Sequence, residues 1–441
     1  MSVFTSFIGN TKITAVSSQL DKCIEGAAVF YNLASGDVAK EKFVQRLENS
    51  KAKIVFVNRE LSIEDKRVTV LAPEEFKALL KKSVDELYPI NNKVKFVAIT
   101  GTNGKTSTVY LLSQLLRQKN KCVLSIGTLG VFLDGKQVAD EGLTTPGLPE
   151  LRAIIAKYQA RVDFVLLEAS SHALSQNRLY GISLASAGWT NLTQDHLDYH
   201  KTMDEYFESK LLILKMLQDN AKLFVSDEVL FEKICSKTKS AIKVNEAKVS
   251  NVDVGLKTEF AQKNLCLALS IFSQLGFEQA DLSLLIAPPG RFETIIIAGK
   301  HVIVDYAHTP DALVNACRGV RISYPDKKLV TIFGCGGDRD KLKRPLMLEA
   351  AITNSDRVVV TSDNPRSEQP EQIIADILAG TSYKNIETQV DRKIAIESTV
   401  RSMASDEIVL IAGKGHETYQ EIRGVKHPFD DVKIVRDILG T

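Results

Sequence analysis

The sequence predicts an α/β protein of three domains: a central one with a mostly parallel sheet and a phosphate loop, a small α/β domain before it, and a Rossmann-like α/β domain after it. Three observations lead there. The chain has 441 residues, room for about three domains at the usual size of about 150 residues each. Strand-length apolar runs alternate with helical patterns from end to end, as in sheets covered by helices on both faces. Between them, Phe96-Val-Ala-Ile-Thr breaks at Gly101-Thr-Asn-Gly-Lys-Thr and resumes as the helical pattern Val109 to Leu116, which reads as strand, turn, helix.

Composition narrows the function classes. With 44% hydrophobic and 25% charged residues it is ordinary for a globular protein. Lys plus Arg number 56 against 54 Asp plus Glu, with no long run of one sign, so neither a nucleic-acid nor a membrane partner is expected and any anion site must be local. Cysteines 23, 122, 235, 266, 317 and 335 form no C-x-x-C pair and fall mostly in apolar segments. Buried free thiols in a reducing compartment are expected, with no disulfide and no zinc. The start, Met-Ser-Val-Phe-Thr-Ser-Phe-Ile, lacks a basic segment and a long apolar core, and no stretch has membrane-spanning length, so the expectation is a cytoplasmic protein.

The first domain is placed at residues 1–90. Ala27–Tyr31 and Lys53–Val57 read as strands, Val38–Glu48 and Pro73–Leu87 as helices, and Tyr88-Pro-Ile-Asn-Asn92 as the linker onward. No catalytic signature stands out. Ser17 and Ser18 are accounted for by a plain turn.

The central domain, 91–288, begins with the phosphate loop. Gly101 and Gly104 let backbone N–H groups face an anion, Lys105 adds a cation, and the Thr106 hydroxyl at the helix N-terminus can hold Mg²⁺. Thr102, Asn103 and Ser107 complete the cradle. The spacing is shorter than the common G-x-x-x-x-G-K-[ST], and a ligand-free turn would explain the glycines but not the adjacent Lys-Thr. Cys122–Ile126 reads as the next strand. Thr144 and Thr145 before Pro146 offer hydroxyls to an anionic or sugar ligand, although a turn alone needs none. Val162 to His172 is a buried strand ending in Glu168-Ala-Ser-Ser-His, at the strand end where open α/β sheets place ligands. A lone Glu at a strand end is commonly just solvated; the phosphate loop turns Glu168 toward Mg²⁺, which wants hard oxygen donors. Trp189 to His200 is a second polar strand end. There His196 is a candidate metal ligand or phosphate contact, and His200 a cap or surface residue. In the helix Met203–Leu217, Lys210 by itself reads as a snorkelling surface side chain.

Together, Gly101-Thr-Asn-Gly-Lys-Thr, Glu168-Ala-Ser-Ser-His172, Asn191-Leu-Thr-Gln-Asp-His-Leu-Asp-Tyr-His200 and the Lys210 helix resemble the ATP-dependent Mur ligases of peptidoglycan synthesis, in the branch that adds the third peptide residue. The similarity runs from about residue 94 to the end. In the first domain, Val16-Ser-Ser-Gln19 stands where the family usually shows Asp-Ser-Arg. The resemblance implies that Thr144, Thr145, Ser170, Gln176 and Arg178 contact a UDP-muramoyl dipeptide. It also implies that Lys210 is carbamylated by CO₂ and helps Glu168 and His196 hold Mg²⁺, and that Asn264 contacts the adenine of ATP, with Ala261 in place of the family's earlier Asn. Within the family pattern Lys105 serves catalysis, and Arg291 and Asp305 look like ATP contacts with His308 nearby.

The last domain, 289–441, alternates again: strands at His301–Ala307, Leu329–Gly334 and Arg357–Thr361, and helices from Pro310 and Pro345. After its strands come Gly336-Gly-Asp-Arg339, Asp363-Asn-Pro-Arg366 and Gly413-Lys-Gly-His-Glu417. As structure these are ordinary turns. Their charges match an amino acid with both a carboxylate and an ammonium at its far end, such as meso-diaminopimelate. Arg366 would take the distal carboxylate and Glu417 the ammonium, with Arg339 for the other carboxylate and Asp363, Asn364, Pro365 and Gly413 shaping the site. Lysine would meet Arg366 as a repulsive neighbour. The resemblance thus implies a ligase, monomeric, acting on small molecules through an acyl phosphate, with no side-chain nucleophile. A lysine-adding ligase, a folylpolyglutamate synthetase, and an NTP-driven switch or kinase are the competing readings; the last leaves Arg366 and Glu417 unexplained.

Overall fold

The computed structural model describes residues 6–8, 11–61, 63–140, 142–380, 383 and 386–440. They form two compact units, residues 1–97 with 121–185, and 98–120 with 186–441. The strand Lys95–Thr100 contributes to both.

In the first unit a four-stranded parallel sheet runs Ala15–Ser17, Ala27–Tyr31, Ile54–Val57, Val68–Val70 in sequence order. Alternate residues of each strand point to opposite faces. Val29, Val55 and Val57 therefore pack with Phe43 and Leu47 of the helix Asp37–Glu48. Ala28, Phe30 and Phe56 pack with Phe76, Val84 and Leu87 of Pro73–Leu87 on the other side. Arg152, 2% exposed, joins this sheet's exit to the rest of the unit, donating from Nε and Nη2 to Tyr88 O at 3.0 and 2.7 Å. The unit also holds Val123–Gly127, parallel to Phe164–Glu168 and continued by two antiparallel strands, Gly130–Leu133 and Lys136–Ala139.

The second unit carries three parallel strands, Leu184–Trp189, Leu223–Val225 and Ala241–Lys243, and a six-stranded sheet. That sheet orders Glu293–Ile297, Lys300–Asp305, Glu407–Ala412, Lys328–Phe333, Arg357–Thr361, Ile386–Gln389, all parallel except the first hairpin. Because both faces are covered, its strands read as unbroken apolar runs. Ile303, Phe333, Val358, Val360 and Leu410 face the helices Pro310–Ser323, Lys343–Asn354 and Pro370–Leu378. Val302, Val304, Ile332, Val359 and Val409 face Arg392–Ser402 and Asp431–Leu439. The helix expected from Pro345 starts two residues earlier, since a proline in the first turn forfeits no hydrogen bond. The helix expected to Leu217 ends at Leu211 and continues as a 3₁₀ turn. Four cysteines are buried as expected, but Cys122 and Cys235 are exposed.

Between those last two helices sits a fully buried ion pair, Arg392 Nε and Nη2 to Asp431 at 3.0 and 2.7 Å. Removing one member strands a buried charge. Asp431→Ala is expected to cost about 3–5 kcal/mol of stability, measured as a lowered urea midpoint at unchanged slope.

Candidate functional site

The phosphate-loop turn is shaped by two close approaches that only glycine permits. Gly101 has φ +144°, and a Cβ there would lie 1.8 Å from Thr190 Oγ1; Gly104 has φ +85°, and its Cβ would lie 2.3 Å from Asn264 Oδ1. The loop is fastened by its neighbours. Thr102 Oγ1 donates to Thr193 O at 3.1 Å, and Asn103 N donates to Asn191 Oδ1 at 2.9 Å. Lys105 Nζ donates to the carbonyls of Gly101 and Thr102 at 2.9 and 2.7 Å. Thr106, at the first turn of Lys105–Gln118, receives Arg291 Nη2 at 3.4 Å, and the Arg291 guanidinium lies 4.1 Å over the Tyr306 ring. Ser107 follows on the same first turn.

Lys210 is 1% exposed, which overturns the surface-residue reading of its helix. Its Nζ donates to Gly101 O at 2.8 Å, beside the Tyr206 ring at 4.5 Å. Burial, then the nearby Lys105 charge, pull its ammonium well below the ordinary lysine range.

Asp195 was missed by the sequence reading, being one acid in a polar run. It is 5% exposed and anchors the site: His196 Nε2 lies at 3.4 Å and Lys343 Nζ at 3.6 Å. Burial favours its neutral form, but Lys343, His196 and His308 outweigh that and hold it ionised, below the usual carboxylate range. His196 sits in the left-handed region at φ +56° and opens the short helix Leu197–His200. His200, expected as a cap or a surface residue, is buried, with its ring 5.2 Å from that of Tyr206.

His308 packs into the same cluster. Its Nδ1 lies 2.9 Å from Tyr306 O, and since a carbonyl only accepts, Nδ1 carries the proton. Burial and then the Lys343 ammonium push its pKa down to about 4. The ordinary value is 6.5, so between about pH 6.5 and 4 the unfolded state binds the extra proton and stability falls as pH falls. His308→Asn is expected to remove roughly 3 kcal/mol of that pH dependence, read as the difference between the two proteins' urea stabilities at pH 7 and pH 4.5.

Asp305 accepts from Phe292 N at 2.7 Å and Ala307 N at 2.8 Å, one oxygen each. Burial raises its pKa. Its observed work is therefore to hold the Arg291 turn. Asn103 Nδ2 meets Thr309 Oγ1 at 3.2 Å and Asp311 at 3.4 Å.

The first unit assembles its own predicted group. Thr145 Oγ1 donates to Glu168 O at 2.6 Å and lies 3.2 Å from Ser170 Oγ, which caps the helix Ser171–Ser175. Arg178 Nη1 donates to Thr145 O at 2.7 Å, and its Nε and Nη2 hold Gln176 Oε1. Thr144 and Thr128 hydroxyls lie 3.1 Å apart. Glu168 is not a solvated strand end: it is 2% exposed, and its oxygens accept from Thr128 N at 2.8 Å and Thr128 Oγ1 at 3.1 Å. Ser17 and Ser18 do more than turn the chain, since both hydroxyls and Ser18 N bind the Glu150 carboxylate. Among the described residues no three His, Cys, Asp or Glu side chains converge as a ready-made metal cage.

The three expected amino-acid segments meet at the carboxyl ends of the six-stranded sheet. Glu417 Oε2 accepts from Asn364 Nδ2 and from Lys414 Nζ, both at 2.9 Å. Lys414, fully buried, was not foreseen; its tell was a lysine between two glycines after an apolar strand. Asp363 is buried, and Lys414 and Arg392 overcome the effect of burial to hold its carboxyl below the ordinary value. Arg366, at φ +52°, donates from Nη1 to Gly337 O at 2.7 Å, and its ionic partner is Glu421, not Glu417. Arg339 is exposed, with Nη1 on Asp338 O.

Residues 99–287 match the Mur ligase middle domain and residues 290–415 the Mur ligase glutamate ligase domain. The UDP-N-acetylmuramoyl-L-alanyl-D-glutamate–2,6-diaminopimelate ligase of Aquifex aeolicus is 35% identical over 95% of this chain and 92% of its own. Its namesake in Lawsonia intracellularis is 38% identical over 79% and 80%. A solved diaminopimelate ligase of the same name shares 29% identity over 97% of this chain and 94% of its own, at TM-score 0.56. MurF ligase from Thermotoga maritima, solved with ADP, shares the fold at TM-score 0.64 with 17% identity, covering 96% of each chain. The chain belongs to the Mur ligase family.

Proposed function

We propose that this protein uses ATP to join meso-diaminopimelate to the D-glutamate of UDP-N-acetylmuramoyl-L-alanyl-D-glutamate, the reaction named for its relatives. The observation that carries the substrate choice is the paired fork and carboxylate on the second unit's sheet. Arg366 spends Nη1 on Gly337 and Glu417 spends Oε2 on Lys414 and Asn364, so Nη2 and Oε1 remain for a distal carboxylate and ammonium. Thr144, Thr145, Ser170, Gln176 and Arg178 take the nucleotide-sugar dipeptide, whose free carboxylate Arg178 suits. Gly101 to Ser107 cradle the phosphates of ATP, Asn264 abuts the adenine side of the loop at Gly104, and Arg291 lies over Thr106.

The γ-phosphate passes to the side-chain carboxylate of D-glutamate, ADP departs, and the amine of diaminopimelate displaces phosphate from the resulting acyl phosphate. Lys105 offsets charge on the transferring group, a matter of positioning and electrostatics. Within the second unit Thr106 and His196 would be suitable donors for Mg²⁺, and in the first unit Glu168 would be another; Mg²⁺ shares its sites with phosphate oxygens and so needs no full protein cage. Burial lowers the Lys210 pKa and so favours loss of its proton; uptake of CO₂ by the free amine, with release of a proton, would put an anionic oxygen donor at this buried position. A nucleotide-consuming reaction of this kind fits a monomeric protein in the cytoplasm, and among the described residues no helix is long and apolar enough to cross a membrane.

Phosphate release with ATP, Mg²⁺ and the UDP-dipeptide should depend on meso-diaminopimelate and be at least tenfold slower with L-lysine. Equal use of lysine would sink the Arg366 argument, and release indifferent to any amino acid would restore the switch reading. Lys105→Ala should abolish turnover, whereas Arg366→Ala should chiefly raise the KM for the amino acid. Carbamylation is checked separately: ¹³C-bicarbonate should give a protein carbamate resonance by NMR that is absent from Lys210→Arg.

A further inference from the structure

Arg366 can discriminate only if its planar fork points one way, and a long side chain does not do that unaided. The hairpin Tyr419–Ile422 and Val425–Pro428, which no part of the functional reading above employs, grips it. Arg366 N donates to Glu421 O at 3.0 Å and Arg423 N to Arg366 O at 2.7 Å, so the hairpin brackets the residue's backbone in its left-handed conformation. Glu421 N also donates to Asn364 Oδ1 at 2.9 Å, and Gln420 Nε2 to Asp363 O at 2.6 Å. The side chain is gripped too: Glu421 Oε2 lies 3.3 Å from Arg366 Nε, both side chains being only partly exposed, at 29% and 20%. With Gly337 O on Nη1 and Glu421 on Nε, two of the fork's three nitrogens are fixed from opposite edges.

We propose that Glu421 is a positioning residue for amino-acid selection, aiming the Arg366 guanidinium so that Nη2 faces the distal carboxylate; this rests on the diaminopimelate reading of that site. The carboxylate of Glu421 lies on the Nε edge of the guanidinium, so the N–H of Nη2 on the end it shares with Nη1 is the one turned to the substrate. Its value is geometric more than electrostatic, because its negative charge by itself would weaken the attraction of a substrate carboxylate. A neutral acceptor of the same length should therefore do the same work.

The test compares Glu421→Ala and Glu421→Gln with the wild-type chain in the phosphate-release assay. Glu421→Ala is expected to raise the KM for meso-diaminopimelate about tenfold with kcat within twofold, to leave the KM values for ATP and UDP-dipeptide unchanged, and to narrow the preference over L-lysine. Glu421→Gln should restore the diaminopimelate KM to within about twofold of wild type. An unchanged KM in Glu421→Ala overturns the inference, as does a parallel loss for all three substrates, which would mark a merely structural role. Equal impairment in Ala and Gln overturns the geometric account. A wild-type enzyme that does not depend on diaminopimelate refutes the functional reading itself and this inference with it, an outcome read before any variant is made.

Discussion

The carbonyl of Gly101 is the point on which the second unit's chemistry turns. It accepts from Lys105 at 2.9 Å and from Lys210 at 2.8 Å, two ammonium-bearing side chains from different helices on one oxygen. Such a convergence requires a backbone turn with no side chain in the way, and Thr190 already occupies the space a Cβ would need. Two cations so close cannot both keep their charge cheaply in a buried place. Burial, then the Lys105 charge beside it, pull the Lys210 ammonium well below the ordinary lysine range. The turn proposed to cradle phosphate thus also makes an unusual lysine.

A compensating logic governs Asp195. An isolated buried carboxylate would protonate, yet Lys343, His196 and His308 surround this one and keep it charged. Asp195 and His196 come from the strand end after Trp189, while Lys343 and His308 come from the far part of the chain, beyond residue 300. The cluster therefore joins segments more than a hundred residues apart with charge in place of apolar area, and Asn103 on Thr309 and Arg291 on Thr106 add polar ties.

The fold was legible because the apolar runs of the six-stranded sheet and of the N-terminal sheet are short, β-branched and bounded by turns; Ala27–Tyr31, Arg357–Thr361 and Pro73–Leu87 emerge with their expected limits. The strand–turn–helix at Gly101 to Thr106 and the Asp363-Asn-Pro-Arg366 turn were legible as local structure because their glycines, prolines and charges lie next to one another in the chain. Burial was not. Lys210, taken by itself, looked like a solvent-facing residue, since a charged side chain on a helix carries no local mark of what will cover it. Asp195, Lys343, Lys414 and Glu421 escaped for a related reason: each acts through a partner that the sequence places elsewhere, or through one oxygen of a shared carboxylate.

The buried Arg392–Asp431 pair clarifies why such costly groups are kept beside the turns proposed to bind the amino acid. For stability alone, a well-packed apolar pair would serve as well or better. But Arg392 also donates to Ser362 O at 3.4 Å and Ala412 O at 3.0 Å, the carbonyls immediately before Asp363 and Gly413. An apolar side chain could fill the volume without holding either strand end. The guanidinium therefore sets the spacing between the Asp363-Asn-Pro-Arg366 and Gly413-Lys-Gly-His-Glu417 turns, and its charge adds to that of Lys414 in keeping Asp363 ionised. Selectivity between two similar amino acids depends on such spacing to within a few tenths of an ångström, which apolar packing alone does not fix for polar strand ends.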